Sequence, residues 1–264
     1  MAAVLGKLET QLLAYVQMRS CQALRSDEVT EALGISTVQT RELLSRLARR
    51  RLIARVRRGL YLFPKRIPPG GRWSPGEYLA LATLMEDRSS EYQICGPAAF
   101  HRYGWDEQVP NRLHVYNTAI SGDRQIGSAA FSLIKVDAAR LGDTEQISTP
   151  EGVEAIYSSR ARSLVDAVYD WARFNSLPRA YDWIRDERNR NPKITKQIVS
   201  AAINYGNTGT IRRLGKLLEL EGVSERFLKQ LEAELTPSTA LIPWCPRRAK
   251  QGSVDRRWGV VLNA

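Results

Sequence analysis

Apolar residues recur along this chain with two spacings, one close to 3.6 and one of 2, and the changes between them mark its elements. Leu8, Leu12, Leu13 and Val16 share one face of a first helix. SDEVTEALG reads as a second helix, with Ser26 as N-cap and Gly34 at its C-terminal turn. In STVQTRELLSRLARR, Thr40, Leu43, Leu44 and Leu47 again fall on one side. Ser36 followed three residues later by Gln39 is a capping box, in which each side chain meets a backbone N–H that the first turn leaves free. From Leu52 the pattern alternates, and Gly59 supplies the positive φ of a tight turn between LIARV and LYLF, which predicts a short hairpin. Helix, helix, turn, helix, hairpin is the order of a winged helix-turn-helix.

PKRIPPGGRW, residues 64 to 73, interrupts every periodic pattern with prolines and glycines. It divides the chain into an expected DNA-binding domain at 1–66 and a larger domain at 74–264. SPGEYLALATLM opens the second domain, with Ser74 as N-cap, Pro75 at the first helical position and Glu77 closing a capping box. YQIC, RLHVYN, FSLIKV and VEAIYSS read as short strands, with NTAISGDRQIGS as a turn-rich connection. Helices then dominate: ARSLVDAVYDWARF, RAYDWIRDE, ITKQIVSAAINYG, TIRRLGKLLELEG and SERFLKQLEAEL, before a closing strand in RRWGVVLNA. The expected class is α+β, a winged helix-turn-helix followed by a mixed α/β domain that is helix-rich towards its C-terminus. No repeat or low-complexity tract is present.

Charge changes this picture. Residues 1–72 contain fourteen Lys or Arg against five Asp or Glu, a net of +9, so only +2 of the chain's +11 falls on the remainder. Basic residues at a helix C-terminus also favour the helix dipole, but that accounts for only a few of them. So uneven a distribution fits a polyphosphate partner, whose binding gains from counterion release. In the winged-helix geometry the third helix enters the major groove and the hairpin reaches over phosphates. The groove-facing candidates are Thr37, Val38, Gln39, Arg41 and Ser45, with Arg46 and Arg49 further along the helix and Arg55, Arg57 and Arg58 on the hairpin. PRRAKQGSVDRRW, residues 246 to 258, carries a further net of +4, which makes Arg247 and Arg248 candidates for a second phosphate patch or a solvated loop.

Catalytic chemistry is poorly represented. His101 and His114 lack neighbours with triad or metal spacing and read as structural. Asp166 and Asp170 lie one helical turn apart, a spacing common on solvated faces. YGNTGTIRRLG lacks the lysine and hydroxyl of a P-loop, so Asn207 or Thr208 reads as a plain helix cap. Cys21, Cys95 and Cys245 form neither a disulfide framework nor a zinc site. No cofactor, metal or enzymatic activity is expected. With no span-length apolar run and no signal-peptide layout, the expected location is the cytoplasm.

The layout resembles the AbiEi family, antitoxins of type IV abortive-infection toxin-antitoxin systems, over nearly the whole chain. RRGLYLF is similar to the family's Arg-x-Gly-x-Tyr wing, and ICGPAAFHRYGW to a segment in which an Ala-containing helix leads to a Tyr-Gly step, with Gly96 where serine or histidine is more usual. TPEGVEAIYSSRARSLVDAV matches the pattern of a glycine, a strand and then Arg162, Leu164 and Asp166. RRLGKLLE and RWGVVLN resemble the family's last two motifs. The resemblance implies a transcriptional regulator that represses its own operon through inverted repeats in the promoter. It further implies a second domain that counteracts a nucleotidyltransferase-type toxin without a stable complex. The alternatives are a stand-alone repressor with a ligand-sensing second domain, or a DNA-directed nuclease.

Overall fold

The structure, a computed structural model, describes residues 5–68 and 71–263. Pro69 and Gly70 of the expected linker and the first four residues lie outside that description. The N-terminal unit runs α1 (Lys7–Arg19), β1 (Ala23–Arg25), α2 (Ser26–Leu33), α3 (Thr37–Arg49), β2 (Ala54–Arg57) and β3 (Leu60–Leu62), with its strands in the order β1-β3-β2, all antiparallel. Leu12, Leu13, Val16, Val29, Leu43, Leu44, Leu47 and Phe63 form its buried core. The capping box at Ser36 and Gln39 is present: the Gln39 N–H donates to Ser36 Oγ at 3.3 Å, and Gln39 Oε1 accepts from the Ser36 N–H at 3.0 Å. Gly59, at φ +80°, makes the hairpin turn. Ser26, expected as an N-cap, is instead the first helical residue; its N–H donates to the Gly59 carbonyl at 2.9 Å, and Glu28 caps the Arg25 N–H.

The second unit is α+β, as its sequence indicates. It begins with α4 (Glu77–Asp87), β4 (Tyr92–Cys95), α5 (Pro97–Arg102), β5 (Leu113–Asn117), β6 (Gly122–Ile126), β7 (Ala129–Lys135), β8 (Thr144–Ser148) and β9 (Glu154–Ser158). These strands build a six-stranded mixed sheet in the order β6-β7-β5-β4-β9-β8. Ser74 does not cap α4: its hydroxyl meets Ser128, and Glu151 supplies the cap from elsewhere, accepting from the Gly76 N–H at 2.7 Å and the Leu79 N–H at 3.3 Å. Helices α6 (Arg160–Tyr169), α7 (Trp171–Phe174), α8 (Arg179–Arg190), α9 (Ile194–Tyr205), α10 (Thr208–Leu220) and α11 (Glu225–Ala233) follow. The stretch read as one helix from residue 161 to 174 breaks at Asp170, whose carboxylate accepts from the Tyr116 hydroxyl at 2.6 Å. A small sheet of β10 (Ile242–Pro243), β11 (Ser253–Asp255) and β12 (Val260–Leu262) closes against α10. There Gly215 leaves the room that the fully buried Trp258 ring fills; a Cβ would come within 2.1 Å of it.

The proline-glycine segment separates the units along the chain, but apolar packing continues across it. Ala54, Val56, Leu60 and Leu62 of the hairpin belong to the same buried cluster as Leu79, Ala80, Leu81 and Leu84 of α4. Polar contacts reinforce the junction. The Asp87 carboxylate, 4% exposed, holds Arg25 and Arg57 together, with Arg57 Nη2 at 2.6 Å and Arg25 Nη2 at 2.8 Å. The Trp73 N–H donates to the Arg51 carbonyl at 2.7 Å.

Candidate nucleic-acid interface

Because Thr40, Leu43, Leu44 and Leu47 are buried, α3 presents the residues between them to solvent. Thr37, Arg41, Ser45 and Arg49 are spaced four apart and make one stripe. With Arg55, Arg58 and Gly59 of the hairpin and Ser26, Asp27 and Thr30 of α2, they line a concave surface of about 700 Å³. The angle between α2 and α3 is pinned by the Thr30 and Thr40 hydroxyls, 2.9 Å apart. Arg41, Arg49, Arg55 and Arg58 are exposed, and none has an ion-pair partner among the described residues. Each is a guanidinium held at the mouth of a concavity with its hydrogen-bonding capacity unspent.

Two of the sequence-based candidates are differently engaged. Arg46 Nε donates to the buried Glu9 carboxylate of α1 at 2.8 Å, and Arg50 reaches its other oxygen at 2.8 Å. Burial would push the Glu9 carboxyl up, but the Gly6 N–H and these two guanidiniums outweigh it and hold the group below its ordinary value. Arg57, expected beside Arg55 and Arg58 over the phosphates, is bound through Nε and Nη2 to Asp87. The hydrogen bonds from Arg57 hold the Asp87 carboxyl below the usual range against the effect of burial. Both arginines therefore fix helices and hairpin in place. Gln39 is partly spent as well, its carbonyl oxygen turned back to the cap, whereas Val38 is 59% exposed at the first turn of α3. Such a side chain can meet a thymine methyl group.

Sequence reasoning missed Asp87 and Glu9, which decide which arginines stay free. Asp87 lies 30 residues from Arg57 in the other unit, and no local pattern points to it. It also missed Asp27, a carboxylate on the wall of the concavity suited to accept from a base amino group and unsuited to a phosphate.

Arg247 and Arg248 are exposed in the segment before β11 and are absent from this concavity. At the far end of their basic run, Arg257 is not a solvated charge: it bonds to Glu219, Glu225 and Glu232 at 2.8 to 3.1 Å. The remaining candidates of the second unit are structural too. His101 Nδ1 lies 3.1 Å from the Asp106 carbonyl, and His114 packs edge-on to Phe174, with burial pushing its pKa down. Asn207 is the N-cap of α10, accepting from the Thr210 N–H at 2.8 Å.

Asp166 departs from the solvated face that its spacing suggested, because it is fully buried between Arg140 and Arg162 at 2.6 and 2.9 Å. Arg162 also donates to the Arg140 and Gly142 carbonyls and stacks 3.8 Å over the Tyr205 ring. Gly96, at φ +62°, lies where a Cβ would meet the Phe174 ring at 2.5 Å, so packing explains the glycine there.

Among the described residues no group of His, Cys, Asp and Glu is arranged to hold a metal ion, and no helix is long and apolar enough to cross a membrane. No protein-family model matches the chain, and no curated protein matches it. A solved structure is similar in fold: that of the Rv2827c protein from Mycobacterium tuberculosis, 13% identical, with a TM-score of 0.62 over 98% of this chain and 92% of that one.

Proposed function

We propose that this chain is a DNA-binding regulator whose α2–α3 pair and β2–β3 hairpin act as a winged helix-turn-helix. The observation that carries the reading is the set of four unpartnered arginines, Arg41, Arg49, Arg55 and Arg58, arrayed around one concave surface. Free guanidiniums at that density repel one another, and a polyphosphate duplex relieves the repulsion while releasing its own counterions. Arg41, one turn into α3, is the base reader in this arrangement, since a bidentate contact to guanine is worth ~1 to 3 kcal/mol of discrimination. Arg49, Arg55 and Arg58 contact phosphates.

The wider reading, an antitoxin that represses its own operon at inverted repeats and counteracts a nucleotidyltransferase-type toxin through residues 74–264, is supported by the AbiEi-like motifs. The last two of those motifs meet in space: Gly215 of RRLGKLLE packs on Trp258 of RWGVVLN.

One experiment separates the two halves. The full chain and its Arg55→Ala/Arg58→Ala variant are compared for binding to the promoter of the chain's own gene, and for growth rescue when expressed from an unrelated promoter with the nucleotidyltransferase-type toxin that this reading expects in the same operon. The variant should lose promoter binding and retain rescue. Undiminished binding refutes the DNA surface; failure of the unaltered chain to rescue refutes the antitoxin half. Loss of rescue together with binding would reduce the mechanism to repression.

A further inference from the structure

A cavity of about 900 Å³ lies in the second unit, away from the basic face. One wall is Lys193, the N-cap of α9, and the outward stripe Lys196, Gln197, Ser200 and Asn204 of that helix. The opposite wall is the segment Asp143–Glu145 leading into β8, together with the first turn of α6. Behind Tyr205, at the end of the α9 stripe, lies the buried Arg162, stacked on its ring and bonded to Asp166. That network fixes the back of the cleft, so the site is preformed.

Charge is distributed unevenly between the walls. Many arginines of the second unit are consumed by carboxylates or carbonyls, including Arg160 beside this cleft, which bonds Glu187 at 2.7 Å. Lys193 and Lys196 are exceptions. They stand one turn apart on the same face, exposed, and neither has an acidic partner among the described residues. Across from them Asp143 is also without a partner, while Glu145 lies 3.8 Å from Arg102. Two free cations facing a free carboxylate in a cleft this large suit a ligand with phosphate at one end and hydrogen-bond donors at the other. Amide and hydroxyl groups from Gln197, Ser200 and Asn204 lie along the same wall as the lysines. A lone inorganic anion would satisfy only the lysines.

We propose that this cleft binds a nucleoside phosphate, its phosphates on Lys193 and Lys196 and donors of its base or ribose on Asp143. The volume falls in the ~300 to 1,000 Å³ range of small-molecule sites. The site is independent of the DNA-binding reading, since it shares no residue with the N-terminal concavity.

Titration calorimetry of the full chain with ATP, GTP, CTP and UTP, and with inorganic tripolyphosphate as a phosphate-only probe, tests the assignment. At least one nucleotide should saturate a single site per chain. Lys193→Ala/Lys196→Ala should weaken nucleotide and tripolyphosphate alike by about tenfold or more, through loss of charge-assisted contacts. These lysines are exposed and unpaired, so circular dichroism should be unchanged. Asp143→Asn should weaken the nucleotide and leave tripolyphosphate unaffected. The proposal is overturned if no nucleotide saturates, if binding survives the double lysine substitution, or if Arg55→Ala/Arg58→Ala abolishes it instead. Unchanged nucleotide affinity in Asp143→Asn overturns the placement of the nucleoside.

Discussion

In the N-terminal unit Arg41, Arg49, Arg55 and Arg58 stand around an open surface with no ion-pair partner among the described residues, whereas in the second unit Arg140 and Arg162 close on one buried carboxylate and Arg212 and Arg213 donate to the carbonyls of Ala240 and Pro243. The residue type is the same, and its role is set by what lies within about 3 Å. A region's net charge is therefore a poor guide to its free charge. Of the cations that give residues 1–72 their excess, Arg25, Arg46, Arg50 and Arg57 are spent on Asp87 and Glu9. Of the ten that remain, Arg41, Arg49, Arg55 and Arg58 line one concave surface.

The sharpest test of this contrast is a truncation on each side. Arg162→Ala removes the bonds to Asp166, Arg140 and Gly142 from a side chain that is fully buried. Asp166 keeps Arg140 but loses its second guanidinium, and the Arg140 and Gly142 carbonyls lose their donor inside the protein, which together should cost about 3 kcal/mol. Arg55→Ala, at an exposed and unpaired position, should fall within ~0.5 kcal/mol of the unaltered chain. Denaturant unfolding measures both. A cost below about 1 kcal/mol for Arg162→Ala would erase the distinction between the two regions.

The Asp87 junction lies between these extremes. Asp87→Asn leaves Arg25 and Arg57 without their counter-charge and should cost about 1–3 kcal/mol. The pH dependence has a definite sign. Arg57 holds the folded-state carboxyl below its ordinary value, so the pair's contribution is complete above the unfolded-state pKa, near ~3.9, and is lost as pH falls through the lower folded-state value. The stability gap between the unaltered chain and Asp87→Asn should therefore be flat above about pH 5 and close below about pH 4. A gap that persists in acid would mean that packing, not charge, fixes the hairpin to α4.

Legibility in the sequence follows the same physical division. Elements whose own apolar residues recur with a regular period or in a short run were readable: α3 with its capping box, β4 within YQIC, β7 within FSLIKV, and α10 and α11. The edge strands β6 and β8 were not, because four of five residues in β6 are exposed and β8 never becomes fully buried, which leaves no strong alternation to detect. Caps supplied from afar were equally hidden: Glu151 closes α4 from 75 residues away, displacing the local Ser74. At the basic face the stripe of α3 was legible from helical period alone. The separation of free from spent arginines was not, since Glu9 and Asp87 act through space.

The smallest expected effect bears on whether the comparison stops at the N-terminal unit. Each phosphate contact adds about −0.9 to the slope of log K against log salt, so Arg55→Ala/Arg58→Ala should flatten the slope of promoter binding by roughly 2 units. Arg57→Ala, already held by Asp87, should leave the slope nearly unchanged and act instead on stability. Arg247 and Arg248 belong to the second unit yet resemble the first, being exposed and without an ion-pair partner among the described residues. Arg257 of the same run is consumed by three glutamates and Lys250 donates to the Leu241 carbonyl, so two of its five cations are spent within the protein. Arg247→Ala/Arg248→Ala should accordingly flatten the slope by less than about 1 unit, as a screened rim contact does. A change as large as that of the hairpin pair would extend the DNA footprint onto the second unit, and free arginines would then mark the interface wherever they occur in the chain.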